Sequence, residues 1–395
     1  MTFRMNRIDR IKCIADVKHT VSAILRVMQR YAGAMTSPPP IDLIVGSYAD
    51  SGGRGLHPLR YDPAADDWTI GEPVATIANA SFGVHARGRG TTYLVDEHAG
   101  TVASYRGAVD GWQRCAVAAT GGAAPCHLAL HPNGRWLAVA NYGGSAAVLA
   151  LDPDGTPHGP VALHRIAGRG PDPDRQTSAH AHWVGFDASG DTLWCVDLGT
   201  DRILAFAFDA TDGALGAPVI AYAAPGGSGP RHLLFHPQLG HAYLVSEMAA
   251  TLALLRRTGP VGFSADTTLP TLSGAVVGRN IAGGMALNHA ADRLYVANRG
   301  ADTIATFALD GAGHPTPFDQ VPSGGRSPRF LFVLDQQARL LVAHEGGDTV
   351  TAFTIRPDGR PVDPVLLPIP GAAFIAPAFT SNRGVTRGGA GGSWS

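Results

Sequence analysis

An imidazole, two guanidiniums and a carboxylate (His182, Arg231, Glu247 and Arg299) are the side chains whose types and spacing could together do chemistry. An imidazole near its ordinary pKa can take a proton from water and return it to a leaving group. Guanidiniums are permanent cations whose forked donors suit a developing oxyanion, a phosphate or a carboxylate. A carboxylate can orient either partner, and no metal is required. Each residue also has a reading that serves only the fold: a hydrogen-bonded packing histidine, an Arg231–Glu247 ion pair between strands, a surface charge at Arg299. His180 and His182 form a His-x-His pair, a spacing that can bind zinc, but no third ligand is clearly placed beside it, so neither metal nor cofactor is expected.

These residues are held by a repeat. The run from Pro125 through Asn141 to Leu151 aligns without a gap on the run from Ala181 through Asp197 to Phe208, and the scheme returns at Pro230, Gly283 and Pro328, with a weaker copy at Ser81. Each unit reads as three short alternating strands separated by Pro, Gly and Asp turns. Equivalent starts at Phe82, Cys126, His182, Arg231, Gly283 and Arg329 lie 44, 56, 49, 52 and 46 residues apart. That period suits four-stranded propeller blades and is too long for ankyrin, tetratricopeptide or leucine-rich units. Six units are visible, and a seventh can be assembled from Ile41–Ser47, Leu56–Asp62 and a last strand near 373–380. The expected fold is an all-β, seven-bladed propeller closed by strands from both ends of the chain, which removes free sheet edges. Its expected limits are 41–382, between a basic N-terminal extension, 1–40, and a Gly-rich tail, 383–395.

The alignment also filters for chemistry, because a residue that serves only the fold should recur in every blade. The residues at the repeat starts vary. Glu97, Asn141, Asp197, Glu247, Asn298 and His344 align at the end of the second strand, followed by His98, Tyr142, Leu198, Met248, Arg299 and Glu345; Glu247 fits only if its blade carries one inserted residue. This layer is polar although the strands leading to it are apolar, so it is expected at one end of the channel. His131 and His236 sit at Pro turns and read as turn residues.

Composition excludes several classes. Residues 1–35 hold seven Lys/Arg against two Asp/Glu, and the remainder 24 against 30, so the near-zero net charge sums a basic end and a mildly acidic body. Apolar residues from Ile11 to Met28 recur at helical spacing, which fits an amphipathic helix or a segment upstream of a start at Met35. No apolar run approaches the ~18 residues of a membrane helix. The four cysteines have no metal or disulfide spacing, which fits a reducing, cytoplasmic setting. Gly226-Gly227-Ser228-Gly229-Pro230 fails as a nucleophile elbow at its last position, and neither a phosphate-binding loop nor a nucleic-acid face is evident.

Taken together, Ile44-Val45-Gly46-Ser47-Tyr48, Ser178 to Val184, Asp197 to Arg202, Gly229-Pro230-Arg231-His232 and Asn298-Arg299-Gly300 resemble the seven-bladed propeller lactonases. This is the 6-phosphogluconolactonase family, which is related to fungal carboxymuconate-cyclising enzymes. The resemblance covers about Ile41 to Thr380. It implies that the active-site histidine falls on His182, its paired Arg and Glu on Arg231 and Glu247, and a further Arg on Arg299. His180, Arg329, Glu97 and His344 are expected to contact substrate. The implied activity is hydrolysis of a small anionic sugar lactone, 6-phospho-D-glucono-1,5-lactone, by a monomer acting without nucleic acid or membrane. Lactone-forming cycloisomerisation and a non-catalytic binding propeller are the alternatives.

Overall fold

The computed structural model describes residues 38–106, 111–274 and 278–378. The expectations for the basic extension and the Gly-rich tail lie outside the described residues, apart from residues 38–40. By internal contacts, residues 62–67 group apart from the main unit, Asp42–Tyr61 with Trp68–Ser395, and the site lies wholly in the main unit.

Among the described residues, twenty-eight strands form seven separate four-stranded sheets. Six are meanders of consecutive strands: blade 1 at residues 83–119, blade 2 at 125–165, blade 3 at 181–223, blade 4 at 230–270, blade 5 at 281–322 and blade 6 at 328–367. Blade 7 draws Ala372–Pro377 against Ile41–Ser47, Leu56–Asp62 and Asp67–Ile70, so strands from both ends of the chain close the ring as expected. Leu43 pairs with Pro377 and Gly46 with Phe374.

The second strands are largely buried on both faces because each sheet packs between two neighbours. Trp136–Asn141 and Thr192–Asp197 are buried almost throughout. Cores accordingly straddle blades: Cys126, Ala138 and Val148 pack with Val184, Leu193 and Phe206 across blades 2 and 3. Outermost strands alternate instead, with one face to water, as in Pro157–Arg165. Turns carry the glycines that the composition advertises, with Gly134, Gly190 and Gly213 among those at positive φ.

Gly46 marks the tightest point of the closure. It lies in the closing strand, and a methyl group there would overlap the backbone carbonyl oxygen of Ala80, where nothing can rotate away. Gly46→Ala should therefore lower the free energy of unfolding by about 1–3 kcal/mol or more, measured by chemical denaturation, whereas Gly240→Ala, at a site with open space around it, should leave it within about 1 kcal/mol.

Candidate active site

The site arises from a bulge. In blades 2 to 7 the innermost strand carries one extra residue against its neighbour. His182 lies between Ala181, paired with Asp197, and Trp183, paired with Val196. Arg231 lies between Pro230, paired with Ser246, and His232, paired with Val245. Arg329 occupies the same place between Pro328 and Phe330, as does Cys126 between Pro125 and His127. A bulged residue escapes the two-face alternation of a strand and can be re-aimed.

Two sequence alignments need correction by one residue. Ser246 pairs with Pro230 and Thr251 as Asp197 pairs with Ala181 and Arg202. Ser246 thus ends the second strand, Glu247 lies one beyond it, and no inserted residue is needed. Likewise Glu97 lies one beyond Asp96, which pairs with Thr101. In blade 1 the Glu97 N–H donates to the Asn79 carbonyl as the Glu247 N–H does to Gly229, so Ser81, not Phe82, is the counterpart of His182 and Arg231. The register then yields one layer with a residue from every blade: Tyr48, Glu97, Tyr142, Leu198, Glu247, Arg299 and Glu345.

The bulge residues and this layer meet in a network centred on Glu247, which is 2% exposed. Its Oε2 accepts from Arg231 Nη1 at 2.5 Å and from Arg299 Nη2 at 2.6 Å, and its Oε1 from Arg175 Nη2 at 2.6 Å. Arg299 Nη1 continues to Glu345 Oε1 at 3.0 Å, and Glu345 Oε2 accepts from Arg329 Nη1 at 2.7 Å. The Arg329 guanidinium lies over the Tyr48 ring, and the Tyr48 hydroxyl donates to Glu97 Oε2 at 2.7 Å. Ion pairs and polar contacts thus link blades 4, 5, 6, 7 and 1 without a gap.

His182 joins the network at Arg231, whose Nη1 is 2.5 Å from His182 Nε2. A guanidinium can only donate, so Nε2 is the acceptor and the ring proton sits on Nδ1. Burial, then the charges of Arg231, Arg329 and Arg299, hold this imidazole far below its ordinary pKa, so it is neutral at neutral pH. Burial also depresses His232, with Arg231 and His182 adding to it, and His127, pushed down to about 3. Burial alone would raise the Glu247 and Glu345 carboxyls, but the arginines outweigh it and hold both below the usual range, Glu345 at about 2. Burial, together with the charge of Arg299, brings Arg231 down to about 10, against the opposing pull of Glu247. Three buried donors are left without an acceptor: His182 Nδ1, Arg231 Nε and Arg299 Nε. Each such group costs about 1–3 kcal/mol when left unpaired.

The structure brings His182, Arg231, Glu247, Arg299 and Arg329 together and sets Glu97 on the same layer. His180 is half-buried beside them, its ring stacked on Tyr142 at 4.5 Å and its Nδ1 on the Tyr142 carbonyl. His344 is not brought in: it is fully buried at a strand end, bonded to the Thr349 carbonyl and Ser323 Oγ. His98 is half-exposed beside Asp50, and among the described residues no group of three or more ligating side chains could hold a metal. Tyr48 and Arg175 were not anticipated. The signal for Arg175 was the widest gap in the repeat, the 56 residues between Cys126 and His182, which lodges an extra loop. Gln176, fully buried, anchors that loop to the Leu198 carbonyl and so presents Arg175 to Glu247.

Residues 42–371 match the family described as lactonase, 7-bladed beta-propeller. The chain belongs to this family. The 6-phosphogluconolactonase of Bacillus subtilis (strain 168) is 27% identical to it over 298 residues, covering 73% of this chain and 84% of the relative. That of Formosa agariphila is 25% identical over 331 residues, covering 74% and 89%. The periplasmic gluconolactonase of Pseudomonas aeruginosa superposes with a TM-score of 0.78 at 26% identity, covering 87% of this chain and all of the other. The protein is thus a propeller lactonase, and sugar lactone hydrolysis is the activity that this membership supports. Among the described residues no helix is long and apolar enough to cross a membrane.

In this lactonase Glu247 is the counter-ion of three guanidiniums, and removing it leaves two of them, Arg231 and Arg299, buried with too little negative charge. Glu247→Ala should cost about 3–5 kcal/mol of stability, as for other broken buried pairs, read by thermal or chemical unfolding. Exposed Arg60 and Asp42 pair at 2.6 Å, and Arg60→Ala should cost no more than about 1 kcal/mol.

Proposed function

We propose that this lactonase opens the ring of 6-phospho-D-glucono-1,5-lactone by adding water, giving 6-phosphogluconate, an intermediate of the pentose phosphate pathway. The observation that carries the reading is the pairing of a neutral, lone-pair-bearing imidazole with a guanidinium, beside buried donors that lack acceptors. Water adds to the lactone carbonyl, and negative charge develops on its oxygen. Arg231 and Arg299 supply donors for that oxyanion. As Arg231 turns to it, His182 Nε2 is released to take the proton of the attacking water. The bond from the carbonyl carbon to the ring oxygen then breaks, and His182 returns the proton to that oxygen. Glu247 is held too acidic by its arginines to act as the base, and it orients them instead.

Arg175 is the most accessible of the four guanidiniums, at 29% against 2%, 9% and 13% for Arg231, Arg299 and Arg329. It is the contact we assign to the substrate phosphate, with Arg329, Glu97 and His180 bordering the sugar. A closed ring needs no second copy, which supports a monomer. The free thiols of Cys115, Cys126 and Cys195 support a reducing compartment, the cytoplasm.

The deciding experiment offers the purified protein 6-phosphogluconolactone, unphosphorylated gluconolactone and carboxymuconate side by side. Ring opening of the phosphorylated lactone fastest of the three is the expected result, and activity on carboxymuconate alone would overturn the reading. His182→Ala should lower kcat by about 100-fold or more. Because the His182 pKa is depressed, the base stays unprotonated as pH falls through 6.5, so kcat/KM should hold level from pH 7.5 to 6 and decline only below that. An inflection at 6.5 would mean that an ordinary, solvated histidine is the base. Arg175→Ala should raise KM for the phosphorylated lactone by about 10-fold or more while leaving KM for gluconolactone within about 3-fold.

A further inference from the structure

The lactone chemistry leaves unexplained what sets the direction of the bulged arginines. A bulge loosens the ladder, and its extra residue has no cross-strand partner of its own. Two positions ahead of Arg231 and Arg329 the backbone is left-handed, with φ of 59° at Gly229 and 57° at Ser327. Each of these residues donates its N–H to an aspartate of the preceding blade: Gly229 to Asp201 Oδ1 and Ser327 to Asp302 Oδ1, both at 2.8 Å.

Asp201 and Asp302 are structural equivalents. Each is the turn residue before the third strand of its blade, Arg202–Ala207 and Thr303–Leu309, and each is itself left-handed, with φ of 56° and 51°. Each also accepts, through its backbone carbonyl, from the start of the next loop, Ala224 N–H for one and Ser323 N–H for the other. The Asp201 carboxylate additionally takes the Gly227 N–H at 2.8 Å and the Ser228 hydroxyl at 3.3 Å. Left-handed φ disfavours a side chain, and in blades 1, 2 and 4 this place is filled without a carboxylate: Gly100 stands ahead of Cys126, Gly144 ahead of His182 and Ala250 ahead of Gly283; blade 6 carries Asp348 there, ahead of Ala373, but outside the left-handed region, and the Gly371 N–H donates to the Gly347 carbonyl instead. A carboxylate stands there ahead of the two bulged arginines.

We propose that Asp201 and Asp302 are positioning residues, which aim Arg231 and Arg329 into the channel by pinning the backbone N–H two residues before each. Fixing the chain there converts a loose bulge into a rigid mount, so that Arg231 Nη1 reaches His182 and Glu247 together. The consequence for rate rests on the function proposed above; the consequence for where Arg231 lies does not.

Asp201→Gly is the test, because glycine keeps the left-handed turn, as Gly100 and Gly144 do, and removes only the carboxylate. Expected are a kcat lowered about 10-fold or more by misplacement of the guanidinium, and a crystal structure in which Arg231 Nη1 has left His182 Nε2 or Glu247 Oε2. Asp201→Asn, which keeps an acceptor for Gly229, should recover kcat to within about 3-fold of wild type. In an Arg231→Ala background Asp201→Gly should cost less than about 2-fold more, since residues acting through one another are non-additive. An unmoved Arg231, or an equal loss in both backgrounds, would overturn the proposal. Should no lactone prove to be a substrate, the crystal structure alone decides. Should Asp201→Gly fail to fold, Asp302→Gly, read by whether Arg329 Nη1 keeps Glu345 Oε2, takes its place.

Discussion

One extra residue in the innermost strand is the constraint on which the site depends. A strand offers two faces, and in a propeller both are committed to packing against neighbouring blades, so a regular innermost strand would have no side chain to spare for the channel. The bulge supplies it. Trp183, on the channel strand of blade 3, is buried in the core shared with blade 4 while His182, its neighbour, reaches Arg231. The same register slip in blades 4 and 6 releases Arg231 and Arg329. Because the slip recurs from blade to blade, the residues it frees arrive at one height, opposite the layer formed by Glu247, Arg299 and Glu345.

Charge is what makes that height costly to build. Arg231 and Glu247 are each 2% exposed, and an isolated ion so buried would be several kcal/mol less stable than in water. The arrangement meets the cost by sharing: one carboxylate serves three guanidiniums, and Arg299 serves two carboxylates. Burial, with the charge of Arg299, depresses the basicity of Arg231, while the arginines around Glu247 overcome its burial and make it strongly acidic. Burial first, and then the charges of Arg231, Arg329 and Arg299, keep His182 neutral in the same field.

Much of this could be read before any coordinates. The blade period located every repeat, the alternation located the strands, and the breaks in the alignment singled out His182, Arg231, Arg299 and Arg329. Register was the harder matter. A strand's side chains repeat every two residues, so an error of one moves a residue to another face, and Phe82 and Glu247 were both misplaced by that amount. Only the pairing of Ser246 with Thr251 resolves it. His344 misled for a related reason: it is polar and ends a strand, but that strand end turns into the blade, where Ser323 and Thr349 bind it. Arg175 lies outside any aligned motif, and only the long gap between blades 2 and 3 hints at it, whereas Tyr48 ends the Ile44–Tyr48 run that carries the resemblance but has no place in the blade alignment that would show its layer.

The electrostatic design also bears on why a rigid propeller is suited to this chemistry. In water, dipoles must reorganise around an oxyanion as it forms, and that reorganisation is part of the barrier. Here carboxylates orient the guanidiniums at folding, so on the proposed mechanism the turn of Arg231 from His182 to the oxyanion is the main rearrangement left for the reaction. The carboxylates also limit the attraction. A cluster of bare arginines would bind any anion, including the product, whereas arginines already shared with Glu247 and Glu345 gain only what a new oxygen adds. On the proposed function, the Nε donors that Arg231 and Arg299 leave unpaired are where that gain would be made, which would favour a ligand whose negative charge appears beside them over one that merely carries charge.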